Sequence, residues 1–315
     1  MPKISIIRIA HVYYRYRDLD KAHSFLLDFG MIQVDRREDR IYYRGYGTEP
    51  FVFCAEKANE DEFAGAAFAV DSFEDLELAA SLCSGSTIRD LDAPGGGKIV
   101  SLQDPTNKIP FHFIHGQSHT SYDANKEDRG TRPFNYPTTK NRDAGTFQRF
   151  EKGPAIVHKL GHFGICTTNF EETFKFFTEN FNFVPSDLVH DETGRDVATF
   201  LHLDRGKEMV DHHSFFFYEG PKPHVHHSSF EVHDFDTQAL GHDWLIEQGH
   251  EICWGVGRHV LGSQIFDYWY DSAKFIMEHY IDGDLVNSDT PVAKSKLGKD
   301  GLSVWGPDVP LDFLT

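Results

Sequence analysis

The sequence predicts an α+β chain of two similar modules, each reading roughly βαβ…βαβββ (tandem βαβββ repeats) and forming a curved, incomplete barrel-like mixed sheet with helices packed outside. Three observations predict this. Short strand-like runs of period two alternate with amphipathic helical segments. The order of these segments in residues 1–115 returns over 156–283. The length of 315 residues suits about two domains at ~150 residues each.

Each module opens the same way. His11–Met31 (HVYYRYRDLDKAHSFLLDFGM) and His162–Phe183 (HFGICTTNFEETFKFFTENFNF) both read as a strand, a polar turn, and a helix with an acidic first turn and one aromatic face. Ala67–Asp75 and Ser229–Thr237 then repeat a strand, a turn and a second helix start. Both modules close with paired strand-like segments, Ile99–Phe113 around Asp104-Pro105-Thr106-Asn107 and Ile265–Ile281 around the weaker turn signal Asp271-Ser272-Ala273-Lys274. Residues 116–155, rich in small polar residues, Gly and Pro, read as a linker or crossing segment. Residues 284–315 form a C-terminal tail whose composition permits either fraying or lying across a site.

Composition narrows the function classes. No apolar run approaches the ~18 residues of a membrane helix, and Met1–Ala10 lacks the apolar core of a signal peptide. A net charge of -18 opposes binding to a phosphate backbone, so nucleic acid is not expected as a partner. Four isolated cysteines, Cys54, Cys83, Cys166 and Cys253, read as reduced thiols of a cytoplasmic protein. The 28 phenylalanines and 19 histidines are both in excess, so histidines matter only through spacing and context.

Three residues in strand-like runs of the second module carry chemistry: His162, His227 and Glu278. Two imidazoles and a carboxylate converging from separate strands form the facial triad suited to non-haem Fe(II), with coordination positions left open. Any one of them alone is an ordinary polar residue in a histidine-rich chain, and His224, His226, His233 and His279 stand nearby. His212, His259 in Gly257-Arg258-His259, and Tyr268 extend the set. The steps are fifteen residues from His212 to His227, thirty-two to His259, nine to Tyr268 and ten to Glu278.

In that order and spacing the chain resembles the extradiol ring-cleaving dioxygenases, catechol 2,3-dioxygenase type, of the vicinal oxygen chelate (glyoxalase/bleomycin resistance/dioxygenase) superfamily. The resemblance covers most of 156–282, with the first half as the degenerate copy such enzymes carry. It implies meta cleavage of a catechol by O2 at one Fe(II), or Mn(II), held by His162, His227 and Glu278, giving a muconic semialdehyde-type product. His212 would be the acid–base residue beside dioxygen, while His259 and Tyr268 would hydrogen-bond the substrate oxygen. His213, Trp254 and Phe266 are candidate substrate contacts. The stretch Gly257–Trp269 looks like that of a subgroup acting on substituted or carboxylated catechols or trihydroxy-aromatics. A homo-oligomer is also implied.

Two departures leave alternatives open. Asp271-Ser272-Ala273-Lys274 replaces the family's Asp-Pro-x-Gly turn. Asp211 precedes His212, where the family's histidine is usually followed by Asp, so a one-residue shift to His213 is the other register. In the repeat, His11 aligns with His162, Gly65 with His227 and Phe111 with Glu278. The first module, 1–115, is therefore expected to bind no metal, and the second, 156–283, to be catalytic. The rival functions are a glyoxalase- or isomerase-like metalloenzyme, which would need ligands from both halves, and a non-enzymatic drug-sequestering protein, which needs no triad.

Overall fold

The computed structural model describes residues 2–121, 136–139, 150–298 and 301–314. Most of the linker expected over 116–155 lies outside these.

The first half runs β1 (Ile6–Tyr16), α1 (Leu19–Asp28), β2 (Ile32–Arg36), β3 (Arg40–Arg44), β4 (Phe53–Lys57) and β5 (Glu62–Val70). It continues through α2 (Phe73–Ser81), β6 (Arg89–Asp90), β7 (Lys98–Gln103) and β8 (Pro110–His115). The second half repeats the plan with β9 (Val157–Thr167), α3 (Phe170–Asn180), β10 (Phe183–His190), β11 (Asp196–Leu203), β12 (Val210–Asp211) and β13 (Phe215–Glu219). Then follow β14 (His224–Val232), α4 (Phe235–Glu247), β15 (Glu251–His259), β16 (Ile265–Tyr270) and β17 (Ile276–Ile281). The tail adds β18 (Leu285–Val286), β19 (Ala293–Lys296) and β20 (Ser303–Trp305).

Each helix starts where a short polar side chain takes an otherwise orphaned backbone N–H: Asp18 from Lys21, Ser72 from Asp75, Asn169 from Glu172 and Asp234 from Thr237. Acidic residues in every first turn complement the positive helix end. The strands form an eight-stranded sheet ordered β2-β3-β4-β1-β5-β8-β7-β6, a ten-stranded sheet ordered β19-β10-β11-β13-β9-β14-β17-β16-β15-β20, and a separate pair, β12 with β18. Both sheets are mixed and open. The tail does not fray: β19 pairs with β10, and β20 with β15.

One aromatic-rich core joins the two halves, running from Tyr14, Phe29 and Phe53 to Phe163, Phe230 and Met277. Polar ties cross it. Tyr14 Oη lies 2.8 Å from Ser228 Oγ, the Tyr16 hydroxyl donates to Asp271 at 2.7 Å, and His279 Nε2 donates to the Phe29 carbonyl at 2.7 Å. His279 is thereby spent on the core, with its ring stacked on Phe29.

The register corrects one repeat pairing. Ser229 stands opposite Glu278, and its counterpart Ala67 stands opposite His112, so His112 rather than Phe111 matches Glu278. The first half thus keeps His11 and His112 around Gly65. The space is filled, since a Cβ at Gly65 would lie 2.5 Å from His112 Nε2, and that nitrogen donates to the Ala64 carbonyl at 2.8 Å. His11 stacks on Phe51 at 3.9 Å and lies 3.0 Å from the Tyr13 hydroxyl.

Candidate metal centre

Three adjacent strands build the triad. β14 lies between β9 and β17, and Ser229 on β14 is in register with His162 on one side and Glu278 on the other. His227, two residues earlier, projects on the same face because side chains alternate along a strand. Its neighbour on β9 is Gly164, where a Cβ would fall 1.8 Å from the Phe216 ring. Glycine there lets that ring lie across the strand, 5.0 Å from the His227 ring.

Glu278 Oε2 lies 3.2 Å from His162 Nε2 and 3.3 Å from His227 Nε2, and the two nitrogens are 3.3 Å apart. Such a near-equilateral triangle accepts one ion about 2.0–2.3 Å from each atom, the range of metal–imidazole and metal–carboxylate bonds. Glu278 is completely buried, and neither of its oxygens receives a well-formed hydrogen bond. A buried, unpaired carboxylate is costly unless a cation meets it. Burial pushes the Glu278 carboxyl up, but His162 and His227 together outweigh this and hold it well below its usual range. Burial pushes His227 down to about 4, against the pull of Glu278. An ionised carboxylate beside a neutral imidazole is the protonation state a metal requires. Among the described residues, no other His, Cys, Asp or Glu side chains gather in this way.

The second partner of His227 is identifiable. Its Nδ1 lies 2.7 Å from His226 Nδ1, and His226 Nε2 donates to the Phe313 carbonyl at 2.5 Å. With the His226 proton fixed at Nε2, its Nδ1 must accept, so His227 is protonated at Nδ1 and bare at Nε2. A similar chain runs through the other pair of site residues. The Tyr268 hydroxyl donates to His259 Nε2 at 2.7 Å, and His259 Nδ1 donates to the Leu302 carbonyl at 2.7 Å. Burial, and then the charge of Glu278, raise the Tyr268 hydroxyl well above its usual value.

The structure reverses the order expected for the next histidines. The His213 ring lies 4.1 Å from that of His162 and lines the cavity beside the triad. His212 sits behind it, with Nε2 2.7 Å from Asp187 Oδ2. Strand alternation gives no guide here, because β12 ends at Asp211 and β13 begins at Phe215. Trp254 and Phe266 also stand one layer back. The Trp254 ring lies tilted against Phe266 at 4.2 Å and donates to the Pro307 carbonyl, so both rings buttress His259 and Tyr268 rather than line the cavity.

The cavity of about 70 Å³ is walled instead by Phe200, Phe216 and Leu261, and by the tail residues Leu302, Phe313 and Leu314. Among the described lining residues, Gln264 is the one polar residue besides the site histidines and Tyr268. Larger clefts elsewhere, such as one of about 530 Å³ beside Arg17 and Asp61, hold no triad residue.

Residues 159–270 match the glyoxalase/bleomycin resistance protein/dioxygenase superfamily. The second half carries a domain of that superfamily. Among curated relatives, metapyrocatechase 2 of Cupriavidus necator is 24% identical over 99% of this chain and 93% of its own length. A homoprotocatechuate 2,3-dioxygenase from Brevibacterium fuscum, complexed with 3,4-dihydroxyphenylacetate, superposes with a TM-score of 0.82 at 20% identity, covering 99% of this chain and 92% of that one. An Mn(II)-bound glyoxalase from Novosphingobium aromaticivorans gives 0.77 at 23% identity, over 98% and 95%. Both structures share the vicinal oxygen chelate fold with this chain, in which the superfamily domain supplies His162, His227 and most of the cavity wall.

Proposed function

We propose that this chain is an extradiol ring-cleaving dioxygenase that opens a catechol with O2 at a single Fe(II), or Mn(II), held by His162, His227 and Glu278. The observation that carries the proposal is the buried triangle of ligand atoms with its chains of supporting hydrogen bonds. A bound divalent ion supplies the one-electron chemistry that lets dioxygen react with an aromatic ring. One carboxylate and neutral imidazoles leave one positive charge with that ion. A singly ionised catechol neutralises it, as a buried site favours.

The protein's own groups do the rest. His213 is the acid–base residue, holding or releasing a proton beside the triad, a role typically worth ~10²–10⁴-fold. The Tyr268 hydroxyl, fixed by His259, meets the substrate oxygen. Phe313 and Leu314 close the cavity against water. No lysine or arginine appears among its described lining residues, which favours an uncharged ring substituent over a carboxylated one. In this reading the first half, 1–115, is a scaffold without metal and the tail 284–315 is part of the site. We assign the working enzyme to the cytoplasm as a homo-oligomer, in keeping with four unpaired thiols.

A glyoxalase-like reaction draws some support from the Mn(II)-bound neighbour. It gives no purpose to His213 or the Tyr268–His259 pair. The test is oxygen uptake by Fe(II)-loaded protein offered alkyl-, aryl- and carboxyl-substituted catechols. Uptake with a yellow ring-opened product, lost in Glu278→Ala, is expected; bound metal without uptake on any ring would refute the assignment.

A further inference from the structure

Three hydrogen-bond chains run outward from the metal centre, and they do not end alike. The chains from His227 and Tyr268 end on neutral backbone carbonyls, those of Phe313 and Leu302. The chain from His213 ends on a carboxylate: His213 Nδ1 lies 3.0 Å from His212 Nδ1, and His212 Nε2 lies 2.7 Å from Asp187 Oδ2. All three residues are buried, at 3%, 6% and 3% exposure.

The backbone is shaped to deliver this carboxylate. Strand alternation should turn Ser186 and Asp187 to opposite faces, yet both are buried. The pairing of β10 with β11 is irregular between Pro185 and Asp187, a bulge of the kind that re-aims a side chain. Both residues then reach the same histidine, because the Ser186 hydroxyl donates to the His212 carbonyl at 2.6 Å. His202 Nδ1, at 2.7 Å, holds that hydroxyl in turn. The His212 ring is thus tied at its backbone and at both ring nitrogens.

We infer that Asp187 and His212 are positioning residues that fix the ring orientation and the tautomer of His213. An ionised carboxylate only accepts, so the proton of His212 sits on Nε2. With both rings neutral, His212 Nδ1 accepts and His213 carries its proton on Nδ1. Its bare Nε2 is then the atom left for the cavity. The two adjacent-histidine pairs, His212-His213 and His226-His227, are therefore built on one principle, an inner imidazole oriented by an outer one. Only the inner ring that is not a metal ligand is backed by a charge.

The kinetic part of this inference rests on the ring-cleavage reading; the spectroscopic part does not. Metal-free protein labelled with 15N-histidine is compared with Asp187→Asn and His212→Phe, the His213 signals being identified by their loss in His213→Gln. The wild-type Nε2 should resonate as a bare imidazole nitrogen. In both variants it should move toward the protonated position as the tautomers mix. In loaded enzyme, kcat on the best catechol should fall about 10–100-fold, as is usual when an outer partner is lost, with KM changed less than about threefold. An unchanged Nε2 signal overturns the inference even if kcat falls, because the loss would then be merely structural. Should His212→Phe not fold, the isosteric Asp187→Asn carries both readouts. Should no catechol be consumed by wild type, the function assignment fails while the labelled spectra still decide this one.

Discussion

Asp271 allows the link between fold and site to be tested by titration. It sits in the turn between β16 and β17, the turn that sets the register of Glu278. Its Oδ1 accepts from the backbone N–H groups of Ala273 at 2.8 Å and Phe275 at 2.9 Å, while Oδ2 accepts from the Tyr16 hydroxyl of the other half. Burial, only partly offset by these donors, raises its pKa from 3.8 to about 6. The folded state therefore holds this proton more tightly than the unfolded chain does. The stabilisation is complete below the unfolded pKa and is lost as pH rises through about 6. A pKa moved from 3.8 to about 6 corresponds to about 3 kcal/mol, of which about 1.4 kcal/mol falls between pH 5 and 8. Asp271→Asn imitates the protonated side chain and cannot titrate. Urea denaturation of wild type and variant, both with chelator, should show the variant gaining about 1.4 kcal/mol relative to wild type from pH 5 to pH 8. A difference independent of pH would show that Asp271 ionises normally in the fold and would sink the reasoning.

Two further perturbations probe the site directly. Gly164→Ala drives a Cβ to within 1.8 Å of the Phe216 ring, which should cost about 1–3 kcal/mol by overpacking and weaken metal retention; unchanged denaturation would mean the ring swings aside freely. Deleting Leu311–Thr315 removes the carbonyl that fixes His226, so competition against a chelator should show metal affinity reduced about 10–100-fold; full retention would deny the Phe313 carbonyl any part in holding the metal.

Much of the triad was legible in the sequence because its residues lie on long strands, where alternation predicts shared faces and the repeat supplies a second copy for comparison. The signal failed where the strands stop. His212 and His213 occupy a break between two short strands, and spacing favoured His212 although it is His213 that lines the cavity. Asp187 was out of reach because it faces His212 only through a bulge, and a bulge inverts the alternation on which such readings depend. The roles of Leu302 and Phe313 were hidden for another reason. They act through backbone carbonyls, which every residue possesses, so no side-chain identity marks them. Phe111 was matched to Glu278 by counting residues, and the paired strands moved the match to His112.

The excess of histidine now has a physical account. An imidazole that works at this centre must be neutral, correctly tautomeric and correctly turned, and burial supplies only the first of these. In this fold the other two come from a second polar group behind the first: His226 behind His227 and His212 behind His213. The same logic puts His259 behind Tyr268. An adjacent pair is a compact way to build such support, whether on a strand as at His226-His227 or between strands as at His212-His213, since the two Nδ1 atoms come within 3.0 Å in both. His162 lacks this arrangement. Its flanking residues are Gly161 and Phe163, and its Nδ1 is buried without a partner. Because an outer hydrogen-bond partner strengthens a ligand, His162 should be the more weakly held of the two histidine ligands, and substitutions behind His227 should loosen the metal more than any made around His162 short of removing the ring itself.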